Sequence, residues 1–398
     1  MEKHTRFRGS VHSWHIEDNM AWFIDAQSDI LCCLDLQLGE CNCVAQIPNG
    51  GLGKSMLNTR CIKVNNEIFC MPCYGDRIWI YNTMDAVFQF IEIKNQDHVK
   101  LYMEFCWIHG DRIFAVSRAL RQVIVLDTVS KEIEYYPINV RKEDTFLSCC
   151  VKVETKIYCT SEKSNRIYQF DMNSKETVVY NIPNVNENFA LICFDGNKFW
   201  LSGYSKKIYI WDKDENIVQV IEQFPKQFGN YNFFNDTDEI IDYESEIYDT
   251  QLFCRLEAVG KYIWAIPYRT NAVLYIDKDT FEVHVLSVKN EEETKVSLLG
   301  RRKFKYFWQY LRDDRYIGIL SLKNSYIIEI DTSVLKESPK NYFLSDSCLK
   351  LIWMEQVLYE TDNMHKEMFE RLVMLNEKNE NIDGRQNGIG ARIYSHLK

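Results

Sequence analysis

The sequence predicts an all-β protein: a seven-bladed β-propeller of four-stranded antiparallel blades, followed by a short α-helical C-terminal extension. Three observations predict it. One short pattern recurs seven times, its copies are spaced as one four-stranded unit requires, and apolar residues within each copy alternate with a period of two. Such a repeat means one supersecondary unit copied along the chain, and a unit that cannot bury its own faces must stack on its neighbours.

Each copy begins at an apolar anchor: Ala21, Ile68, Ile113, Ile157, Phe199, Ile263 and Ile317. An aromatic follows at Trp22, Phe69, Phe114, Tyr158, Trp200 and Trp264, with Gly318 as the exception. Four residues after the anchor stand Asp25, Pro72, Ser117, Ser161, Gly203, Pro267 and Ser321, which start turns or break strands and so end the blade's second strand. The third strand carries same-face apolar pairs such as Trp79/Tyr81, Ile124/Leu126 and Tyr209/Trp211. It closes fourteen residues after the anchor on Asp35, Asn82, Asp127, Asp171, Asp212, Asp277 and Asp331. A side-chain oxygen at that position accepts hydrogen bonds from N–H groups just ahead, so these residues are predicted to pin the turn into the fourth strand rather than to catalyse.

Fourth strands are predicted at Glu132 to Tyr136, Thr177 to Tyr180, Ile217 to Ile221 and Phe281 to Leu286, and first strands at Leu101 to Ile108, Phe146 to Val153 and Phe189 to Phe194. The stretch Val11 to Ile16 supplies the innermost strand of blade 1 and closes the ring. Closing residues fall 41 to 47 positions apart, except for steps of 65 before Asp277 and 54 before Asp331. Residues 10 to 347 are therefore read as the propeller and 348 to 398 as the extension.

Over residues 10 to 345 the chain resembles the broad superfamily of Kelch-like, NHL-like and streptogramin-lyase-like propellers. The Gly-Gly pair of Kelch blades is absent from the repeats, Gly50-Gly51 being an isolated loop pair. Trp211-Asp212 is the closing position of one blade rather than a Trp-Asp signature. Streptogramin-lyase relatives use an active-site His and a magnesium ion, and no local motif places His284 in that role; in an alternating strand it reads as structural.

Composition narrows the function classes. With 46% hydrophobic and 14% aromatic residues the chain can bury a large core between sheets. A formal charge of −10 disfavours a nucleic-acid partner, and no apolar run is long enough for a membrane span. The N-terminal stretch has no apolar signal core, so a cytoplasmic protein is expected. The 14 Cys are then expected as reduced core thiols, and Cys70 and Cys73 as no part of a zinc site. No HExxH, GxSxG, phosphate-loop or dinucleotide fingerprint occurs, so no cofactor or metal is expected.

In an antiparallel meander, loops joining strands two and three share a rim with loops joining successive blades. The former carry Arg77, Arg118, Arg121, Lys163, Arg166, Lys206, Lys207, Arg269 and Lys323 against Asp29, Asp76 and Glu162, with Tyr74, Tyr204 and Tyr268 beside them. The predicted ligand-binding set is Tyr74, Arg77, Arg118, Arg121, Lys163, Arg166, Tyr204, Lys206, Tyr268 and Arg269, because Arg forks and aromatic faces suit anions. The plainer account is that these are solvated turns, and Glu143, Asp144 and Glu291-Glu-Glu in the blade-to-blade loops dilute the positive charge. An acidic insertion from Phe228 to Asp249 falls on the same rim and reads as a lid or partner-binding loop, a solvated excursion or a metal-binding loop, though it lacks the Gly and terminal Glu of an EF-hand calcium loop. Leu351, Met354, Leu358, His365, Met368, Leu372 and Leu375 form a helical stripe that packs on the propeller or docks a partner.

The expectation is a non-catalytic binding or scaffolding propeller that recognises an anionic partner, an acidic or phosphorylated peptide or an acidic glycan. The competing class is a lyase or hydrolase with its site at the mouth of the central channel. Reversing Arg118, Arg121 and Arg269 to Glu is expected to abolish binding without unfolding.

Overall fold

The computed structural model describes residues 13–26, 28–50, 56–95, 99–205, 207–225, 228, 251–268, 272–288, 306–321, 327–340 and 343–344. The acidic insertion after Phe228, Lys206, Arg269, Glu291 to Glu293, Lys323 and the C-terminal extension lie outside them. The described residues form seven antiparallel sheets, each built from four strands consecutive in the chain, so the protein is a seven-bladed β-propeller. The first strand lies at one edge of its blade, and the first strands of blades 1 and 2 and of successive blades from 3 to 7 meet one another. These inner strands are His15–Glu17, Asn58–Val64, Phe105–His109, Leu147–Val153, Phe189–Phe194, Phe253–Val259 and Tyr306–Arg312.

Two of the predicted boundaries shift for a physical reason. Leu101 to Met103 is not part of blade 3: Tyr102 takes a positive φ of 51°, and its N–H and that of Met103 bond Cys73 O and Pro72 O, both at 3.0 Å. The last strand of blade 6 starts at Val283 because Phe281 also has a positive φ, 61°.

The ring is closed twice. Residues His15 to Glu17 pair with Met20 to Trp22, and Trp14 just ahead donates its indole N–H to Gln309 Oε1 of blade 7 at 2.8 Å. On the outside, Phe343–Leu344 adds a fifth strand to blade 1, parallel to Glu40 and Cys41. First and last blades are therefore tied by both ends of the described chain.

The closing residues act as turn pins. Asp35 Oδ1 accepts from Gln37 N and Leu38 N, both at 2.8 Å, and the same pair of bonds recurs at Asp127, Asp171, Asp212 and Asp277. These backbone donors hold the Asp127 and Asp277 carboxyls below the usual range. A second regularity sits four residues further on: Gly39, Ala86, Lys131, Lys175, Asn216, Phe281 and Leu335 all have positive φ, between 53° and 74°. Only glycine and asparagine adopt this region readily, so the other five carry strain. Several reach back from it to the preceding blade. The Lys131 ammonium stands 4.8 Å from the Phe69 ring, Lys175 4.4 Å from Phe114, and Phe281 packs 6.0 Å from Trp200. That is why an aromatic follows the anchor: it receives a side chain from the next blade. Ala86 has no such side chain, so Ala86→Gly is expected to stabilise by about 0.5–1 kcal/mol, read as a higher urea midpoint at unchanged slope.

The exception, Gly318, also has its reason. A Cβ there would lie 2.4 Å from two carbons of the Tyr310 ring, which occupies the space an aromatic fills in the other blades. The described cysteines are free thiols, nearly all buried, except Cys43, which is disulfide-bonded to a partner outside the described residues and departs from the expected reduced state. Burial pushes the Cys33 and Cys61 thiols up to about 12, which makes them inert fillers of the core.

Candidate functional site

Hydrogen bonds join the two kinds of loop on the predicted rim. In blade 2, Cys73 N and Gly75 N bond Leu57 O at 2.8 and 3.1 Å; in blade 4, Glu162 N bonds Phe146 O at 3.2 Å. In both blades the strand-two-to-three loop is thus zipped to the linker that enters an inner strand. Acidic residues of the linkers are brought against basic residues of the loops.

Two of the predicted arginines, Arg118 and Arg166, spend their charge there. Arg166 pairs with Glu143 at 2.8 Å and with Asp144 at 2.9 Å. Asp144 is wholly buried and also accepts from Ser161 Oγ at 2.7 Å and from the Tyr168 hydroxyl. Burial would raise this carboxyl, but the donors outweigh it and hold it below its ordinary value. Arg118 bonds Glu104 at 2.6 Å and Leu147 O at 2.7 Å, with its guanidinium 4.5 Å from the Phe146 ring. Arg77 pairs with its cross-strand neighbour Glu92 at 3.1 Å and stacks 4.5 Å from Phe90, on the outer part of its blade. Arg121 holds a turn with φ of 55°, and its Nε is buried without a hydrogen bond. Tyr268 is buried, Tyr204 is half-buried, and Lys206 and Arg269 lie outside the described residues.

The remaining predicted residues, Tyr74 and Lys163, bracket a continuous ledge across blades 2 to 4. Tyr74 meets Tyr102 edge to face at 5.6 Å, and Tyr102 meets Phe146 at 5.2 Å. The Lys100 ammonium stands 4.0 Å from the Tyr74 ring, and the Arg118 guanidinium lies under Phe146 and Tyr102. At the far end burial raises the Glu162 carboxyl, and the positive charges of Arg118 and Lys163 offset only part of that rise. Lys100, Arg141, Lys142 and Lys163 are exposed and make no ion pair among the described residues. The ledge therefore presents free ammonium and guanidinium groups around aromatic faces, above an arginine fixed by its own carboxylate. Tyr102 is an aromatic held in the left-handed region, a strained conformation kept by its bonds to blade 2.

Sequence reading missed Lys100, Tyr102, Phe146, Arg141 and Lys142. The signal was present in the blade-to-blade linkers, which read as diluting acids because Glu143 and Asp144 stand out. The structure buries Asp144, pairs both acids with Arg166, and leaves the linker cations facing out.

Like Asp144, a rim acid of blade 1 is kept from water. Asp29, in the blade 1 loop, accepts from Asn58 N at 2.8 Å through Oδ1, while its Oδ2 and the nearby Asn58 Oδ1 are buried without partners. Burial pushes this carboxyl up to about 7, against the N–H donors of Asn58 and Leu57. The folded chain thus keeps a proton that the unfolded chain releases near pH 4. The stability this contributes is full below about pH 4 and is lost as pH rises through about 7. Asp29→Asn supplies an amide donor in place of the proton. It is expected to flatten that slope and to stabilise above pH 7 by something on the order of 2 kcal/mol, read from urea unfolding at pH 5 and pH 8.

Among the described residues no group of three or more His, Cys, Asp or Glu side chains comes together as a metal would need, and no helix is long and apolar enough to cross a membrane. No known protein family matches the sequence, and no curated protein matches it either. Solved structures do resemble the fold. Catalytically inactive virginiamycin B lyase from Staphylococcus aureus with quinupristin is similar over 80% of this chain and 95% of its own, at 11% identity and a TM-score of 0.55. The dihydro-heme d1 dehydrogenase NirN is similar over 83% of this chain and 67% of its own, at 12% identity and a TM-score of 0.53. PorZ, a surface component of the type-IX secretion system of Porphyromonas gingivalis, is similar over 85% of this chain and 39% of its own, at 7% identity and a TM-score of 0.51. At such identities the likeness is one of fold: the chain is a propeller similar to propellers of diverse activity.

Proposed function

We propose that the protein is a non-catalytic binding or scaffolding propeller whose rim ledge recognises an anionic partner, an acidic or phosphorylated peptide or an acidic glycan. The observation that carries this reading is the ledge itself. Exposed Lys100 and Lys163 stand unpaired at the two ends of the Tyr74, Tyr102 and Phe146 row. Flat rings desolvate a ligand cheaply in entropy, and cations beside them select its charge.

Reversal of Arg118 is a poor test, because a carboxylate in its place would face Glu104 and unfold the seam between blades 3 and 4. The informative variant reverses Lys100 and Lys163 together. Fluorescence anisotropy with a labelled hexaglutamate peptide, a phosphoserine peptide and a sialylated glycan is expected to show binding of at least one probe. The double reversal is expected to weaken it by about tenfold or more, ~1.4 kcal/mol. Binding of none of the three would sink the reading, and consumption of a probe during the assay would favour a lyase or hydrolase instead.

A further inference from the structure

Among the described residues Cys43 alone is oxidised. The chain has 14 Cys, of which Cys43 is disulfide-bonded and twelve others are free thiols. Only Cys348 remains to be its partner. Cys348 lies outside the described residues, and the strand register beside it agrees with the count. Phe343 pairs in parallel with Glu40 and Leu344 with Cys41, so the chain leaves Leu344 in the direction that leads from Cys41 to Cys43. Cys43 is two positions past Cys41, about 7 Å along the strand. Four residues separate Leu344 from Cys348 and reach at most about 14 Å, enough to bring the two sulfurs together.

A nearer thiol does not take the bond. Cys32 stands directly across from Cys43 in the strand pair, yet it is free. Its hydrogen bond with Cys41, and then burial, hold this thiol well above its usual range, so it stays protonated and does not attack the disulfide beside it. Eleven of the twelve free thiols are buried, whereas Cys43 is only half-buried. Of the sulfurs in blade 1, Cys43 is thus the one a dissolved thiol reaches. A chain that keeps so many thiols reduced and oxidises one accessible sulfur carries a reversible bond rather than a disulfide framework.

The bond matters because of what it secures. The fifth strand of blade 1 is only two residues long, Phe343–Leu344. So short a pairing returns little against the entropy of ordering the chain, and a covalent link a few residues beyond it removes much of that cost. The inner closure has support of its own. His15 to Glu17 pair with Met20 to Trp22, and Trp14 bonds Gln309 and stacks 5.0 Å from Phe23.

We propose that Cys43 and Cys348 form a redox-sensitive clasp, which holds the outer closure of the ring when oxidised and releases Phe343–Leu344 from the edge of blade 1 when reduced, leaving the inner closure in place. The reductant is a small dithiol or two small thiols. One thiolate attacks a sulfur of the bond, a second resolves the mixed disulfide, and two electrons and two protons pass from the reductant to Cys43 and Cys348. A disulfide oxidant such as oxidised glutathione takes them back and leaves as two thiols. The clasp is separate from the rim ledge, and its test does not depend on that reading.

The full chain is equilibrated with oxidised glutathione, unfolded, alkylated with iodoacetamide and digested. Mass spectrometry is expected to find one cross-linked peptide pair, Cys43 to Cys348, and the other cysteines alkylated. Hydrogen exchange on the folded protein then reads the clasp. Dithiothreitol is expected to speed exchange in the peptide carrying Phe343–Leu344 by about tenfold or more and to leave His15–Glu17 unchanged, and oxidised glutathione is expected to restore the slow rate. Cys348→Ser is expected to exchange fast at Phe343–Leu344 with or without reductant. A Cys43 that is alkylated, or joined to Cys32, overturns the pairing. Equal exchange before and after complete reduction, or loss of protection at His15–Glu17 as well, overturns the clasp.

Discussion

Asp144→Ala is expected to lower stability by about 3–5 kcal/mol, the largest loss for any single carboxylate of the rim. Asp144 is fully buried and holds Arg166, Tyr168 and Ser161 at once. Removing it leaves a guanidinium that is only 15% exposed with one half-exposed partner, Glu143, and strands a buried hydroxyl. The loss comes mainly from those stranded groups rather than from the pair's own attraction. Asp144→Asn keeps an acceptor and is expected to lose roughly half as much. Urea unfolding followed by tryptophan emission measures both. A change under about 1 kcal/mol for Asp144→Ala would show that Arg166 is free to bind ligand after all, as the sequence suggested.

Gly318→Ala is expected to cost about 3 kcal/mol, a large figure for one methyl group. The new Cβ would sit 2.4 Å from the Tyr310 ring. That ring cannot swing aside: it packs tilted against Trp14 with ring centres 5.1 Å apart, and its hydroxyl donates to buried Glu329 at 3.1 Å. Because Trp14 also bonds Gln309, the clash falls on the inner closure between blades 7 and 1. A double-mutant cycle with Tyr310→Leu separates clash from other causes: coupling that recovers about 2 kcal/mol is expected, and additive losses would place the strain elsewhere.

The blades were legible because their determinants are local. Anchor, turn breaker and closing Asp are fixed by residues a few positions apart, and each Asp forms the N–H bonds expected of it. The strained residue four positions after it was not legible, since Lys131, Phe281 and Leu335 do not announce a positive φ; contacts with the preceding blade hold Lys131 and Phe281 there. The rim was legible as a place but not as a charge balance. Arg77, Arg118 and Arg166 look alike in sequence to Lys163; strand register gives Arg77 its partner Glu92, and the folded linkers decide that Arg118 meets Glu104 and Arg166 meets Asp144.

The account divides the rim cations into structural arginines and ligand-facing lysines, and one paired measurement tests that division. Binding of the best anionic probe and melting temperature are recorded together for Arg166→Gln and for the Lys100→Glu, Lys163→Glu double variant. The account predicts that Arg166→Gln melts lower yet binds with unchanged affinity at a temperature where it is folded, whereas the lysine reversal melts like the wild type and binds about tenfold more weakly or worse. A lysine reversal that binds as well as the wild type, or an Arg166→Gln protein that stays equally stable and loses the probe, would contradict it.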